Sequence, residues 1–174
     1  MRSRTSLLAA VLWASLAARG AAAPPDAWVE VRTPGFSVFS DDGEKAARRV
    51  AARLEEMRGF LLEEWPWARF APELPIVVVA IAERSRLGAL LPVRHTRTGS
   101  TMVAGMTYVE PHRTLILLRT KVPEDPTEDN PYHVAYHEYV HAVLGRSLRL
   151  PPWLSEGLGE YWGGTRITDR EVEI

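Results

Sequence analysis

The sequence predicts an α+β fold in which a small mixed sheet packs against helices. Residues 28–40 alternate apolar and polar side chains on both sides of Thr33-Pro34-Gly35, which is typical of a β-hairpin. Residues 76–81 form a continuous run rich in β-branched side chains, which indicates a central strand buried on both faces. Between these two segments, apolar residues recur at the three- and four-residue spacing of an amphipathic helix.

That first helix is expected to begin where Asp41 and Glu44 resemble a capping box, and to end near Pro66. Its apolar stripe consists of Ala47, Val50, Leu54, Met57 and Leu61. After the central strand we expect a short helix at residues 84–91, then strands at residues 102–109 and 114–118 joined by a turn at residues 110–113.

The second half of the chain predicts two consecutive helices. Asn130 is a favourable cap and Pro131 a favourable first residue for a helix over residues 131–144, which closes near Gly145. A second helix is expected over residues 153–162. The remaining residues, 165–174, have a strand-like pattern.

The N-terminus has the pattern of a secretory signal peptide over residues 1–23. Arg2 and Arg4 precede an apolar run at residues 7–18, and small residues follow at positions 20–23. Cleavage after either Ala22 or Ala23 is compatible with the sequence, and the run is too short for an ordinary membrane span. We therefore expect residues 24–174 to form one exported domain, periplasmic or extracellular. The lack of cysteine excludes disulfides and fits a bacterial envelope protein.

The charge of the chain argues against two classes of partner. The formal net charge is −1, and loss of a leader that carries Arg2, Arg4 and Arg19 but no acidic residue makes the mature domain more acidic. A mildly acidic chain without basic runs is a poor match to nucleic acid or to an anionic membrane surface. We expect neither partner, and no stable membrane insertion after cleavage.

The predicted helix at residues 131–144 carries the pattern H-E-x-x-H. His137 and His141 lie four residues apart, so a helix presents both imidazoles on one face to a single metal ion. Glu138 lies about a hundred degrees further round the helix. Its carboxylate can therefore approach the water side of the metal without becoming a ligand, as a general base must.

Catalytic zinc needs a third protein ligand. The histidine spacing of the metzincin group cannot supply it, because Leu144 and Ser147 occupy the relevant positions. The next predicted helix instead offers Glu156 and Glu160, four residues apart. Such a pair suits one ligand and one supporting carboxylate.

Residues 131–163 carry H-E-x-x-H and then the segment Trp153-Leu154-Ser155-Glu156-Gly157-Leu158-Gly159-Glu160-Tyr161. This region resembles the gluzincin zinc metallopeptidases, most closely the bacterial peptidase-MA-like domains. The resemblance implies a zincin-like fold, Glu156 as third Zn²⁺ ligand and Glu160 as a carboxylate that orients a ligating histidine. Two residues depart from the pattern: Gly159 replaces an expected alanine, and Glu160 stands where thermolysin-like enzymes have aspartate. Because larger relatives continue beyond this region, a C-terminal truncation stays open.

The predicted function is hydrolysis of peptide bonds in a peptide or protein substrate, with Glu138 as base. Tyr161 and Arg166 are candidates to stabilise the oxyanion, and an exposed strand at residues 114–118 is a candidate to pair with an extended peptide. We interpret His133 as a surface residue or a support of the metal site, and His95 and His112 as ordinary loop histidines.

Two alternatives stay open. One is a noncatalytic envelope binding module on a zincin scaffold, although such a module has no need of Glu138 beside the metal. The other is a structural zinc that joins two helices, for which four protein ligands would be expected. The sequence leaves the oligomeric state and the cleavage preference open.

Overall fold

The computed structural model describes residues 27–68, 75–91, 104–121, 130, 132–168 and 171–174. These residues form a mixed α+β fold, as predicted, with a five-stranded mixed sheet. The proposed signal peptide and His95 lie outside the described residues.

The main sheet has the strand order β1-β2-β3-β5-β4. The three inner strands run parallel to one another, whereas β1 and β4 are antiparallel to their neighbours. A separate two-stranded ribbon follows the last helix and accounts for part of the strand-like C-terminal pattern. The strands are β1 (Val29–Arg32), β2 (Phe36–Ser40), β3 (Ile76–Ile81), β4 (Gly105–Glu110), β5 (Arg113–Arg119), β6 (Arg166–Ile167) and β7 (Val172–Glu173).

Four helices are present in the described part of the chain: α1 (Gly43–Glu64), α2 (Arg84–Leu90), α3 (His133–Ser147) and α4 (Pro152–Gly163). Helix α3 continues past Gly145, the predicted end, to Ser147. The missing side chain of Gly145 makes room for Val109 of β4, whose Cγ2 would lie 2.9 Å from a Cβ at this position, so this glycine serves packing and does not end the helix. No described helix has both the length and the apolar character needed to cross a membrane.

The capping box predicted at the start of α1 is wrong. Asp42 occupies the N-cap position and makes no side-chain cap, and Gly43 has a positive φ of 84°. The carboxylate of Asp41 instead accepts hydrogen bonds from the backbone N–H of Ala82, at 2.7 Å, and from Arg86, at 3.2 Å. Asp41 therefore connects the start of α1 to the end of β3, a contact that local sequence pattern does not reveal.

Asn130 is not the N-cap predicted for it: α3 begins at His133, with Tyr132 at the N-cap position and no side-chain cap, and Pro131 lies outside the described residues. Asn130 instead lies just before the helix and connects two elements. Its Oδ1 accepts a hydrogen bond from the backbone N–H of Tyr132 at 2.9 Å. Its Nδ2 donates to the carbonyl groups of Gly163 and Thr165, both at 2.9 Å. This buried amide thus ties the beginning of α3 to the end of α4, the two helices that carry the candidate site.

The main core lies between one face of the sheet and helices α1 and α3. Leu54 and Met57 of α1 and Tyr136 and Tyr139 of α3 are buried there, and Tyr139 packs edge-on against Phe36 of β2 at 5.3 Å between ring centroids. The prediction that β3 is a central strand is confirmed, but burial on both faces is only partly so: Ile76, Val78 and Ala80 are buried on this face, whereas Val77 and Val79 on the other face are half-buried. A smaller cluster beneath α2 covers only part of that second face.

The predicted substrate-pairing strand at residues 114–118 is wrong. Strand β5 pairs with β3 on one side and β4 on the other, so its backbone groups are already used. The apolar side chains Ile116, Leu117 and Leu118 are all buried, which favours an internal strand. The strand at the edge of the described sheet, next to α3, is β4.

Candidate metal centre

Helices α3 and α4 bring together the three side chains predicted as metal ligands. The two Nε2 atoms of His137 and His141 are 3.0 Å apart. Oε2 of Glu156 lies 3.4 Å from Nε2 of His137 and 3.6 Å from Nε2 of His141. Three potential ligand atoms, one from each residue, therefore form a nearly equilateral triangle.

The dimensions of this triangle fit tetrahedral zinc. Zinc binds imidazole nitrogen and carboxylate oxygen at about 2.0–2.2 Å, so two ligand atoms of a tetrahedral site lie about 3.3 Å apart. The observed edges of 3.0, 3.4 and 3.6 Å bracket that value. Two imidazoles and one carboxylate are also a donor set that zinc accepts, with a fourth position left for water.

The second ring nitrogen of each histidine has its own partner on α4. Nδ1 of His141 lies 2.9 Å from the hydroxyl oxygen of Ser155. Nδ1 of His137 lies 3.3 Å from Oε1 of Glu160. The Glu160 carboxylate accepts and so favours the His137 tautomer with its proton on Nδ1 and Nε2 free to bind metal, and the Ser155 hydroxyl can accept from Nδ1 of His141 in the same way. Burial, together with the nearby imidazole of His141, lowers the pKa of His137 and favours the neutral ring that metals require.

Gly159 determines how closely His137 approaches α4. A Cβ at this position would lie only 2.9 Å from Cε1 and 3.0 Å from Nε2 of the His137 ring. The imidazole therefore packs directly on the backbone of α4, between the two carboxylates of that helix. This contact supplies a physical reason for the departure from alanine at position 159.

Glu138 lies on another side of α3, against the edge strand. The residue is 7% exposed, and its Oε2 lies 2.6 Å from the hydroxyl oxygen of Thr107 on β4. Gly105 makes room for it, because a Cβ there would lie 2.6 Å from Cγ of Glu138. Strand β4 therefore fixes the predicted base by direct packing.

The protonation of Glu138 follows from this environment. The pKa of Glu138 is raised to about 7: burial is the main cause, the Thr107 hydrogen bond acts against it, and the charge of Glu156 adds a smaller rise. The Thr107 hydroxyl has one proton, yet it contacts both the Glu138 carbonyl oxygen, at 2.8 Å, and the carboxyl Oε2. The hydroxyl donates to one of these oxygens at a time, and its hydrogen bond to Oε2 favours the ionised carboxylate, the form that a general base needs.

Four other residues were considered in the sequence, and one of them, His133, lies beside the candidate metal centre. His133 lies beside Glu160, with 3.3 Å between Nε2 and Oε2, in agreement with a supporting position. The Tyr161 ring packs against Trp162, and Arg166 pairs with Glu173, so the oxyanion role of either stays a prediction. His112 is exposed in the β4–β5 turn, as expected.

Sequence reasoning missed Ser155, Thr107 and Gly105. Ser155 immediately precedes Glu156, and its position next to the ligand was the one available signal. Thr107 and Gly105 gave no signal, because their contact with Glu138 depends on how β4 packs against α3.

Comparison with known proteins gave no assignment: no protein-family model matches the chain, and no curated protein is similar to it at a significant level. The motif and the geometry of the candidate centre are therefore the features of the chain that bear on its function.

Proposed function

We propose that this protein is a zinc metallopeptidase with a zincin-like fold of the gluzincin kind. His137, His141 and Glu156 bind the ion, and Glu138 is the general base. The observation that carries the proposal is the triangle formed by the two Nε2 atoms and Oε2 of Glu156, with edges of 3.0–3.6 Å. Three ligands with a position left for water are typical of catalytic zinc, whereas structural zinc normally has four protein ligands.

A zinc ion bound to these residues would supply a Lewis acid that makes a water molecule acidic near neutral pH and polarises the substrate carbonyl. Glu138 accepts the proton of the attacking water and then donates it to the leaving amine. Burial raises the pKa of Glu138 and so makes its carboxylate a stronger base toward water, whereas the positive charge of a bound zinc ion would favour the ionised form that the first transfer requires.

The substrate class follows from the position of Glu138 against an edge strand. Strand β4 pairs with β5 on one side only within the described sheet. An extended peptide can add to the other side through backbone hydrogen bonds, which gives affinity without a defined side-chain preference. A peptide bound there runs past Gly105 and Thr107, the residues that contact Glu138. We therefore propose peptides or unfolded segments of proteins as substrates.

Export is also part of the proposal and depends on the leader-like N-terminus. The alternative function is an envelope binding module that keeps the metal but has no hydrolytic activity. Hydrolysis itself separates the two functions, since both require the same metal ligands.

The test is hydrolysis of quenched fluorescent peptides and of unfolded casein by zinc-loaded wild-type protein and by Glu138→Gln. The variant keeps the size of the side chain but cannot take up a proton, so turnover should fall by roughly 10²–10⁴-fold while zinc content is unchanged. Glu63→Gln, at an exposed carboxylate of α1, is the matched control and should behave as wild type. Undiminished turnover by Glu138→Gln would contradict the base assignment, and no turnover by the zinc-loaded wild type would favour the binding module.

A further inference from the structure

Glu160 lies between two imidazoles, and each of its carboxylate oxygens faces a different one. Oε1 is 3.3 Å from Nδ1 of His137, and Oε2 is 3.3 Å from Nε2 of His133. We propose that His133 is a positioning residue of the metal centre: it holds Glu160 in the orientation that allows Glu160 to support His137. This inference deepens the proposed function and depends on it, because His137 must be a ligand for the support to matter.

Glu160 needs a second contact because its side chain is largely in water. The side chain is 66% exposed, and fixing a long, flexible side chain on a helix surface costs conformational entropy. A single contact of 3.3 Å to His137 is long for a hydrogen bond and is a weak restraint by itself. The contact with His133 has the same length and acts on the other oxygen, so the two together restrain the carboxylate more than either does alone.

His133 is itself well placed to act as the fixed partner. Its side chain is only 16% exposed, and it lies on the first turn of α3, one turn before His137. Gly163 lets its ring rest on the backbone of α4, because a Cβ there would lie 3.0 Å from Nε2 of His133. Asn130 donates a hydrogen bond to the carbonyl of Gly163 at 2.9 Å, which ties this end of α4 to the start of α3.

The same three side chains could be interpreted as a second metal site. Potential ligand atoms of His133, His137 and Glu160 lie within 4.8 Å of one another. Such a site would have to use Nδ1 of His137, whose Nε2 already faces His141 and Glu156. His137 would then bridge two ions and lose its ring proton. A positioning role needs no such change, so the geometry favours it.

The test is the zinc dissociation constant, measured by chelator competition for wild type, His133→Leu and His133→Gln. Leucine has a similar volume but no nitrogen, and zinc affinity should fall on the order of tenfold, as for other partners of metal ligands. Glutamine can place an amide N–H near the position of Nε2, so affinity should stay within about twofold of wild type. Each substitution is repeated in a Glu160→Ala background, where His133→Leu should have no further effect.

The same series separates the other interpretations. If His133→Leu lowers zinc affinity equally with and without the Glu160 side chain, His133 stabilises the helices in general and the proposal is wrong. Unchanged zinc affinity in His133→Leu would also overturn it. Two zinc ions per wild-type chain, reduced to one in His133→Leu, would identify His133 as a ligand. Absence of zinc binding by wild type would instead refute the metal centre itself. Thermal unfolding of the metal-free proteins measures any general loss of stability, and the visible spectrum of the cobalt-loaded proteins reports changes in ligand geometry.

Discussion

Helix α3 packs against both β4 and α4, and on each of these two sides a glycine lets a functional side chain approach closely. On the β4 side, Gly105 accommodates Glu138, which is buried and contacts Thr107. On the α4 side, Gly159 accommodates the ring of His137. The two sides differ in exposure, because the α4 carboxylates Glu156 and Glu160 are both 66% exposed.

Because of this difference, the functional side chains on the two sides of α3 are held in position by different interactions. Packing and a hydrogen bond hold Glu138, so its position is set by folding alone. The ligand set on the α4 side includes an exposed carboxylate whose contacts with His137 and His141 are 3.4 and 3.6 Å long. A bound ion would add the attraction that fixes it. Changes on the β4 side should therefore affect folding stability, and changes on the α4 side should affect metal affinity.

Gly105→Ala is expected to have the larger effect of the two glycine substitutions and to act on folding. The new Cβ would lie 2.6 Å from Cγ of Glu138 and 2.8 Å from Cγ1 of Val134, so helix and strand must move apart. Overpacking of this kind costs about 2–3 kcal/mol of unfolding free energy. Chemical denaturation of the metal-free protein measures it.

The control for this substitution is Gly59→Ala in α1, where a Cβ meets nothing within 4 Å. An exposed helical glycine should gain up to about 1 kcal/mol when replaced by alanine. Equal stability of the two variants would contradict the tight packing of Glu138 against β4.

Gly159→Ala is expected to act on zinc binding and to have a smaller effect on folding. The new Cβ would lie 2.9 Å from Cε1 of His137, so the ring must shift by a few tenths of an ångström. A ligand displaced in this way should weaken zinc binding on the order of tenfold. Chelator competition measures the effect, with Gly157→Ala on the same helix as control, since a Cβ there meets nothing within 4 Å. If Gly159→Ala lowers folding stability but leaves zinc affinity unchanged, the proposal that the α4 side acts on metal binding and the β4 side on folding is wrong.

Much of the candidate site could be predicted because its members are close in sequence or lie on regular helices. The four-residue spacing of His137 and His141 places them together on any helix. Glu156 required the resemblance as well, since its distance from the histidines depends on how α3 and α4 pack. The four-residue spacing of Glu156 and Glu160 indicated one ligand and one supporting carboxylate, the resemblance gave Glu160 the supporting role, and Glu160 lies beside His137 in the structure.

The rest depends on tertiary arrangement. The sequence predicts two strands at residues 102–109 and 114–118 but not which of them is internal, because both patterns are compatible with either position. The structure places β4 at the sheet edge, where the sequence had suggested residues 114–118, so it is the backbone of β4 that can pair with a peptide. In the same way, Asp41 looked like a helix cap in sequence, whereas its partners are Ala82 and Arg86, about forty residues away.

The measurement that tests the metal centre most directly is the zinc content of the purified mature protein beside Glu156→Gln, by elemental analysis after removal of loosely bound ions. We expect close to one zinc per wild-type chain and a large loss in the variant, because the neutral amide is a much poorer ligand than the carboxylate. Glu63→Gln should retain the wild-type content. No zinc in folded wild-type protein, or undiminished zinc in Glu156→Gln, would contradict the site formed by His137, His141 and Glu156.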